Sequence, residues 1–329
     1  MNIAITGGRG FLGTHLAHLL REQGADVTAL GRRDGDLRNP FVAHSLLKHA
    51  DTIIHLAADV GGLGYLRDRP AVGFHDNHQM GLNVIAAACE GRAERLILAS
   101  TPCSYAADSP LPLREHNLDR GVPSGDTGNY GFAKLAISKT AETVCPLHRV
   151  EAVTVIPANL YGPHDNFSNE RAHVTAALLR KAVVAKAVGE TSFEVWGDGS
   201  ATRDFVYVGD VAAGIASVAT ATPGTLAGRT FNLASGQETS MRQLACLIAE
   251  TVGGIAPRFT ASRPVGYTHR VMSIHEAALL LGFTAPTSLA DGLAHTLRWL
   301  EKSGTIAQWI RDASTAQPAH AVHRRIHAA

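Results

Sequence analysis

Three glycines, Gly7, Gly10 and Gly13, fall between an apolar stretch at residues 2–6 and a stretch in which Leu12, Leu16, Leu19 and Leu20 recur at helical spacing. Glycine permits a tight turn there and lets the amides of a helix start approach a pyrophosphate, so the chain opens as strand, phosphate-cradling loop and helix. Gly24 follows as a helix stop, and the short apolar run 27–30 closes one βαβ unit. Similar runs at 52–58, 95–99 and 152–156 alternate with helix-length amphipathic stretches, the rhythm of a doubly wound parallel sheet. The glycine triplet alone is compatible with a plain turn. Its strand-loop-helix setting makes it a dinucleotide site.

After Pro157 the rhythm changes to a Gly/Pro/Asn/His-rich loop at 161–169, a helix over 171–186, a strand at 193–196 and the turn Gly197-Asp-Gly199. We read residues 1–160, with returns near 204–235, as an α/β Rossmann-type nucleotide domain. Residues 161–203 and 236–311 form a smaller substrate lobe, with helices around 241–252 and 289–300. Residues 312–329 lack periodicity and are assigned to a mobile tail. With 30 basic and 29 acidic residues in 329, no bulk field favours nucleic acid or an anionic membrane, and any anionic ligand must be held locally. Cys89, Cys103, Cys145 and Cys246 show neither metal-ligand nor disulfide-framework spacing, so reduced thiols, no metal and a soluble, cytoplasmic protein are expected. No apolar run approaches membrane-spanning length, and no signal-type block precedes the first strand.

The end of the second strand selects the dinucleotide, because a carboxylate there binds a ribose 2′-hydroxyl and repels a 2′-phosphate. Here Leu30-Gly31-Arg32-Arg33 offers two guanidiniums, which favours NADP over NAD, and Asp36 and Leu37 follow towards the adenine. Further along come Thr101-Pro-Cys103-Ser-Tyr105 and Tyr130-Gly-Phe-Ala-Lys134. A Tyr four residues before a Lys puts a phenol and an ammonium on one helix face, where the cation lowers the phenol pKa towards working pH. Alone, this spacing is only a helix face; with the glycine loop it reads as the proton half of a hydride transfer.

These residues, over about 1–300, resemble the extended short-chain dehydrogenase/reductases in the branch that modifies nucleotide sugars. His55-Leu-Ala-Ala-Asp-Val-Gly-Gly62, Asn77 with Asn83, the block from Pro157 to Phe167, Ala172-His-Val-Thr-Ala-Ala-Leu-Leu-Arg180 and Val195-Trp-Gly-Asp-Gly199 leading to Arg203-Asp-Phe205 carry the likeness. Departures include Thr101 where Ser is typical, Asn129 where many relatives have Pro, Arg270 where a Lys is expected, and Ser273 where an Asp is common. The resemblance implies that Tyr130 is the proton donor, Lys134 its partner and ribose ligand, and Thr101 the group that orients the carbonyl. Cys103 and His173 are implied as an epimerising base and acid. It places Phe11, Leu12, Ala57, Pro157, Asn159 and Leu160 with the glycines against NADPH. Val60, Gly61, Asn159, His173, Arg180, Trp196, Arg203 and Arg270 fall to a nucleotide-diphosphate sugar, a GDP-sugar being favoured. Asp210, between strand and helix, is read as an N-cap without chemistry.

Three readings follow: a 3,5-epimerase/4-ketoreductase of a GDP-4-keto-6-deoxyhexose or related heptose, an enzyme keeping only one of those activities, and an idle NADP-binding module. An idle module need keep only the glycines, whereas Thr101, Cys103, Tyr130, Lys134 and His173 are all present. The resemblance also implies a homodimer through residues 79–90 and 134–144.

Overall fold

The structure, a computed structural model, describes residues 1–260 and 267–316. Strand β1 (Asn2–Thr6), helix α1 (Phe11–Glu22), β2 (Asp26–Leu30), α2 (Pro40–Leu47) and β3 (Thr52–His55) run as successive βα units. Helices α3 (Leu63–Asp68) and α4 (Pro70–Glu90) lead to β4 (Arg95–Ala99), and α5 (Gly128–Val144) leads to β5 (Glu151–Pro157). Then come β6 (Asn159–Tyr161), α6 (Val174–Ala187), β7 (Ser192–Trp196), β8 (Thr202–Arg203), β9 (Phe205–Tyr207), α7 (Val208–Thr220) and β10 (Thr230–Leu233). The chain closes with β11 (Thr239–Ser240), α8 (Met241–Val252), β12 (Ala256–Thr260), α9 (His275–Leu281), α10 (Leu289–Lys302) and α11 (Thr305–Ala316).

Six strands form one parallel sheet in the order β10-β5-β4-β3-β1-β2, the doubly wound sheet expected from the strand-helix rhythm. Every residue of β3 and β5 is buried, as in strands covered by helices on both faces. One face packs on α1 and α7 through Leu16, Leu20, Val211 and Ile215; the other packs on α2, α4 and α5 through Leu47, Val84 and Ile137. A separate apolar core joins α6, α8, α10 and α11 with β7. Chain order reverses between β1 and β3, and in such sheets ligands bind outside the carboxyl ends of the strands at that point. Arg95 opens β4 in full burial. It pairs with Glu151 at 2.6 Å and donates to the last-turn carbonyls of α7 at Val218 and Ala219, so the buried charge is satisfied.

Several expectations are corrected. The third strand ends at His55 rather than at 58. The strand near 205 does not return to the main sheet, because β9 pairs with β6 in a separate two-stranded ladder. Helix α6 begins at Val174, three residues later than its apolar pattern predicts, with His173 as N-cap. Asp210 is not a cap: Tyr207 caps α7, and Asp210 in the first turn accepts from Thr287 N at 3.1 Å and Thr287 Oγ1 at 2.9 Å. Helix α11 continues to Ala316, into the segment assigned to the tail, because Trp309 is buried in the second core. The rest of that tail, 317–329, lies outside the described residues. No described helix is long and apolar enough to cross a membrane.

Candidate active site

A cleft of about 2270 Å³ opens at the carboxyl ends of the parallel strands, lined on one side by the glycine loop and β-strand ends and on the other by α6, β7 and α11. The glycines are there for space. Gly7 has φ +70°, and a Cβ on it would lie 2.7 Å from Ala57 N; a Cβ on Gly13 would overlap the Gly7 carbonyl. Helix α1 starts directly on this loop, and Gly10 at its N-cap provides no side-chain cap, so the first-turn amides and the positive end of the helix face the cleft. This cradle fits a dinucleotide pyrophosphate.

Phe11, Leu12, Asp36, Leu37, Ala57, Pro157 and Leu160 line the same cleft. Arg32 does too, 78% exposed at the rim and 3.8 Å from Asp59. Arg33 does not. Residues 31–34 close a turn in which Asp34 accepts from Gly31 N at 2.7 Å and from Arg9 Nη2 at 3.0 Å. That turn leaves Arg33 outside the cleft lining while Arg9, from the glycine loop itself, lines it. Sequence reasoning passed over Arg9 because it looked at the strand end alone.

Helix α5 carries Tyr130 and Lys134, both buried, and its position rests on Gly131. A Cβ there would overlap the Cys103 carbonyl, so glycine lets the helix lie against the 101–105 turn, where Ser104 Oγ donates to Gly131 O at 3.1 Å. Tyr105 anchors that turn to β10 by donating to Asn232 Oδ1 at 2.7 Å. Cys103 consequently packs in one small cluster with Tyr130, Tyr65 and Val60. Thr101 Oγ1 accepts from Cys103 N at 3.3 Å, which leaves its proton for another acceptor.

The expected depression of the Tyr130 pKa by Lys134 is not what the protein groups produce. Burial, with Cys103 nearby, pushes the phenol above its ordinary value, and burial lowers Lys134 to about 8. Desolvation penalises the phenolate and so favours the protonated phenol. Tyr130 is therefore held protonated, the state a proton donor requires. Beneath the pair, His55 is buried and neutral, lowered to about 3 by burial and by Lys134, with Nδ1 2.7 Å from Thr6 Oγ1.

Across the cleft, His173 caps α6. It lines the cleft with its surface solvent-accessible, and desolvation lowers its pKa, which favours the neutral ring. Asn159 is fixed by two hydrogen bonds, from N and Nδ2, to Asp204 O at 3.0 Å. The Asp204 carboxylate in turn accepts from Ser235 N, Gly236 N and Met272 N, joining three loops under Arg203 and Arg270. Burial, then the neighbouring Arg270 charge, lowers the Arg203 pKa, and the guanidinium of Arg270 lies 3.9 Å over the Tyr267 ring. Two guanidiniums in a desolvated wall make an anion site. Arg180 donates to Phe167 O at 3.0 Å and Asn169 Oδ1 at 2.7 Å and lies over the Trp309 ring. Trp196 is 47% exposed to the cleft with Lys181 Nζ 4.7 Å from its ring, so it is not a core residue. Val60 and Gly61 line the cleft beside Tyr65.

The tertiary structure also brings to the cleft a residue of the block 157–167 to which the sequence assigned no role. Asp165 lines the cleft, is buried, and has one carboxylate oxygen without a hydrogen-bond partner; burial raises its pKa to about 7. Between 3.8 and about 7 the folded protein holds a proton that the unfolded chain has released, so this group makes stability fall as pH rises through that window. Asp165→Asn should flatten that decline by about 1–3 kcal/mol, read as urea midpoints at pH 4.5 and 7.5. An unchanged pH slope would refute it.

A six-stranded parallel sheet with a glycine loop, a Tyr-Lys helix and a Thr-containing turn at one crevice defines a dinucleotide-dependent enzyme of the short-chain dehydrogenase/reductase type. Residues 3–234 match the NAD dependent epimerase/dehydratase family, and the chain belongs to it. It is 32% identical to GDP-L-fucose synthase 1 of Arabidopsis thaliana over 92% of this chain and 93% of that one, and 30% identical to GDP-L-fucose synthase of Escherichia coli over 90% and 95%. A GDP-L-fucose synthetase of Naegleria fowleri solved with NADP superposes with a TM-score of 0.82 at 25% identity, covering 92% of each chain.

Proposed function

We propose that this enzyme uses NADPH to convert a GDP-4-keto-6-deoxyhexose or a related heptose, inverting C-3 and C-5 and then reducing C-4. The observation that carries the reading is the convergence of Thr101, Cys103, Tyr130, Lys134 and His173 in one cleft with the glycine loop. NADPH, when bound, supplies the hydride. Thr101 keeps its proton and donates a hydrogen bond that orients the C-4 carbonyl oxygen, and Tyr130 delivers the one proton to that oxygen as the carbon is reduced. The Lys134 ammonium binds the ribose and steadies the phenolate left behind. For inversion, a carbon next to the ketone loses its proton to Cys103, the electron pair moves onto the carbonyl oxygen, and His173 takes part in return of a proton from the other face. Arg203, Arg270 and Arg180 hold the diphosphate, and Trp196 stacks on the base or sugar. The curated relatives' names support GDP as the nucleotide. A homodimer is part of the same reading, supported by α4 and α5 packing side by side with Phe132 41% exposed beside Phe74.

Incubation with NADPH and GDP-, dTDP- and UDP-4-keto-6-deoxy sugars, followed at the nicotinamide absorbance band, tests the reading. Oxidation with the GDP-sugar is the expected result; oxidation with none of the three defeats it. The NADP preference rests on Arg32 at the rim. Losing a charge-assisted contact costs about 1.5–3 kcal/mol, so Arg32→Ala should narrow the NADPH-over-NADH preference about tenfold or more in a fluorescence titration. Arg33→Ala should leave it unchanged, and a loss confined to Arg33→Ala would reverse the assignment.

A further inference from the structure

One cluster bridges the two sides of the cleft and has no place in the chemistry above. On the nucleotide side, the loop after β3 carries Asp59, and α3 carries Tyr65; on the other side stands Arg171, two residues before His173. Arg171 Nη1 donates to Asp59 Oδ1 at 3.1 Å, Arg171 Nη2 donates to Tyr65 OH at 2.6 Å, and Tyr65 OH donates to the same Asp59 oxygen at 2.7 Å. The three groups close a ring of hydrogen bonds. The guanidinium also covers the Tyr65 ring at 4.3 Å, with Arg69 stacked over it at 4.7 Å. Backbone contacts reinforce the bridge: Gly62 N donates to Arg171 O at 3.2 Å, and a Cβ on Gly62 would lie 2.7 Å from the Ala172 carbonyl.

Both ends of the bridge are firmly seated. Buried Asn77 holds the Asp59 backbone, accepting from Asp59 N at 2.8 Å and donating to Asp59 O at 3.0 Å. Tyr65 is buried in the cluster that contains Tyr130 and has Cys103 packed against it. At the other end Ala172 leads directly into His173, the cap of α6. The path from Cys103 to His173 thus runs through apolar packing onto Tyr65 and then through the bonds of Arg171, which are charge-assisted and therefore strong and directional.

We infer that Asp59, Tyr65 and Arg171 form a latch that positions His173 relative to Cys103. The inference rests on the proposed epimerisation, and it assigns these three as positioning residues for inversion and not for reduction. A proton transfer on two faces of one carbon requires the two groups at a fixed separation, and a displacement of about 1 Å can cost on the order of 10²-fold. Reduction draws on Thr101, Tyr130 and Lys134, which sit on β4-proximal turn and α5 and do not hang on Arg171.

The test compares wild type, Arg171→Gln and Tyr65→Phe in D₂O, the second variant keeping the ring while removing its hydroxyl. Solvent deuterium entering C-3 and C-5 of GDP-4-keto-6-deoxymannose reports inversion; NADPH oxidation with a ketone already in the product configuration reports reduction. Each variant should follow His173→Asn, losing about tenfold or more of the rate at which deuterium is delivered to the opposite face while exchange at the first centre persists and reduction stays within about threefold. Arg171→Lys, which keeps the cation, should recover part of the lost incorporation. Parallel loss of both activities would mark the cluster as merely structural and overturn the latch, as would wild-type incorporation in both variants. Wild type that incorporates no deuterium would instead defeat the epimerase reading, and the latch with it.

Discussion

Tyr130→Phe should fold and bind dinucleotide normally yet reduce the keto sugar about 10²–10⁴-fold more slowly, the loss expected on removing a positioned general acid. The phenol is buried beside Cys103 with its pKa pushed above the ordinary value, so the hydroxyl enters the reaction protonated. Phenylalanine keeps the ring in its cluster, which confines the change to one hydroxyl. Single-turnover kinetics with saturating NADPH measure the step directly. Turnover within a few fold of wild type would remove Tyr130 from the mechanism.

Cys103→Ser should abolish solvent-deuterium exchange at C-3 and C-5, by about 10²-fold or more, while NADPH oxidation with an already inverted ketone continues. A thiol ionises near pH 8.5, whereas a serine hydroxyl is a far weaker acid and supplies almost no base at neutral pH. His173→Asn should behave differently, impairing delivery of the proton to the opposite face while exchange at the first centre persists. Mass spectrometry of the sugar product after turnover in D₂O distinguishes these outcomes. Unlabelled wild-type product with the parent stereochemistry would leave a plain 4-ketoreductase; full exchange in Cys103→Ser would require another base.

The difference between these two predictions lies in what surrounds each residue. Tyr130 is fixed by Gly131, which admits the Cys103 carbonyl against α5, so a substitution at 130 leaves the helix docked. Cys103 sits in a turn held by Thr101, Ser104 and Tyr105, and serine is close enough in size to preserve it.

The linear order of residues determined the parallel sheet, the glycine cradle, and the Tyr130–Lys134 spacing, because strand and helix periodicities and the steric demand for glycine are local properties. It also marked the segments from β6 to β9 whose side chains meet in the cleft, through the family likeness of the block from Pro157 to Phe167. Only the folded chain decided that Arg9 and not Arg33 lines the cleft, since that depends on how Asp34 closes the turn after β2. Only the folded chain set the pKa directions of Tyr130 and Lys134: the spacing predicts an attraction, but desolvation depends on what packs around the pair and outweighs it. The same holds for the end of α11, residues 312–316, assigned from their composition to a tail but continuing a helix whose Trp309 is buried against Phe167. Arg171 lies 112 residues beyond Asp59 and 106 beyond Tyr65, and no local pattern announces a hydrogen-bonded ring with a residue that only tertiary packing brings within 3.1 Å.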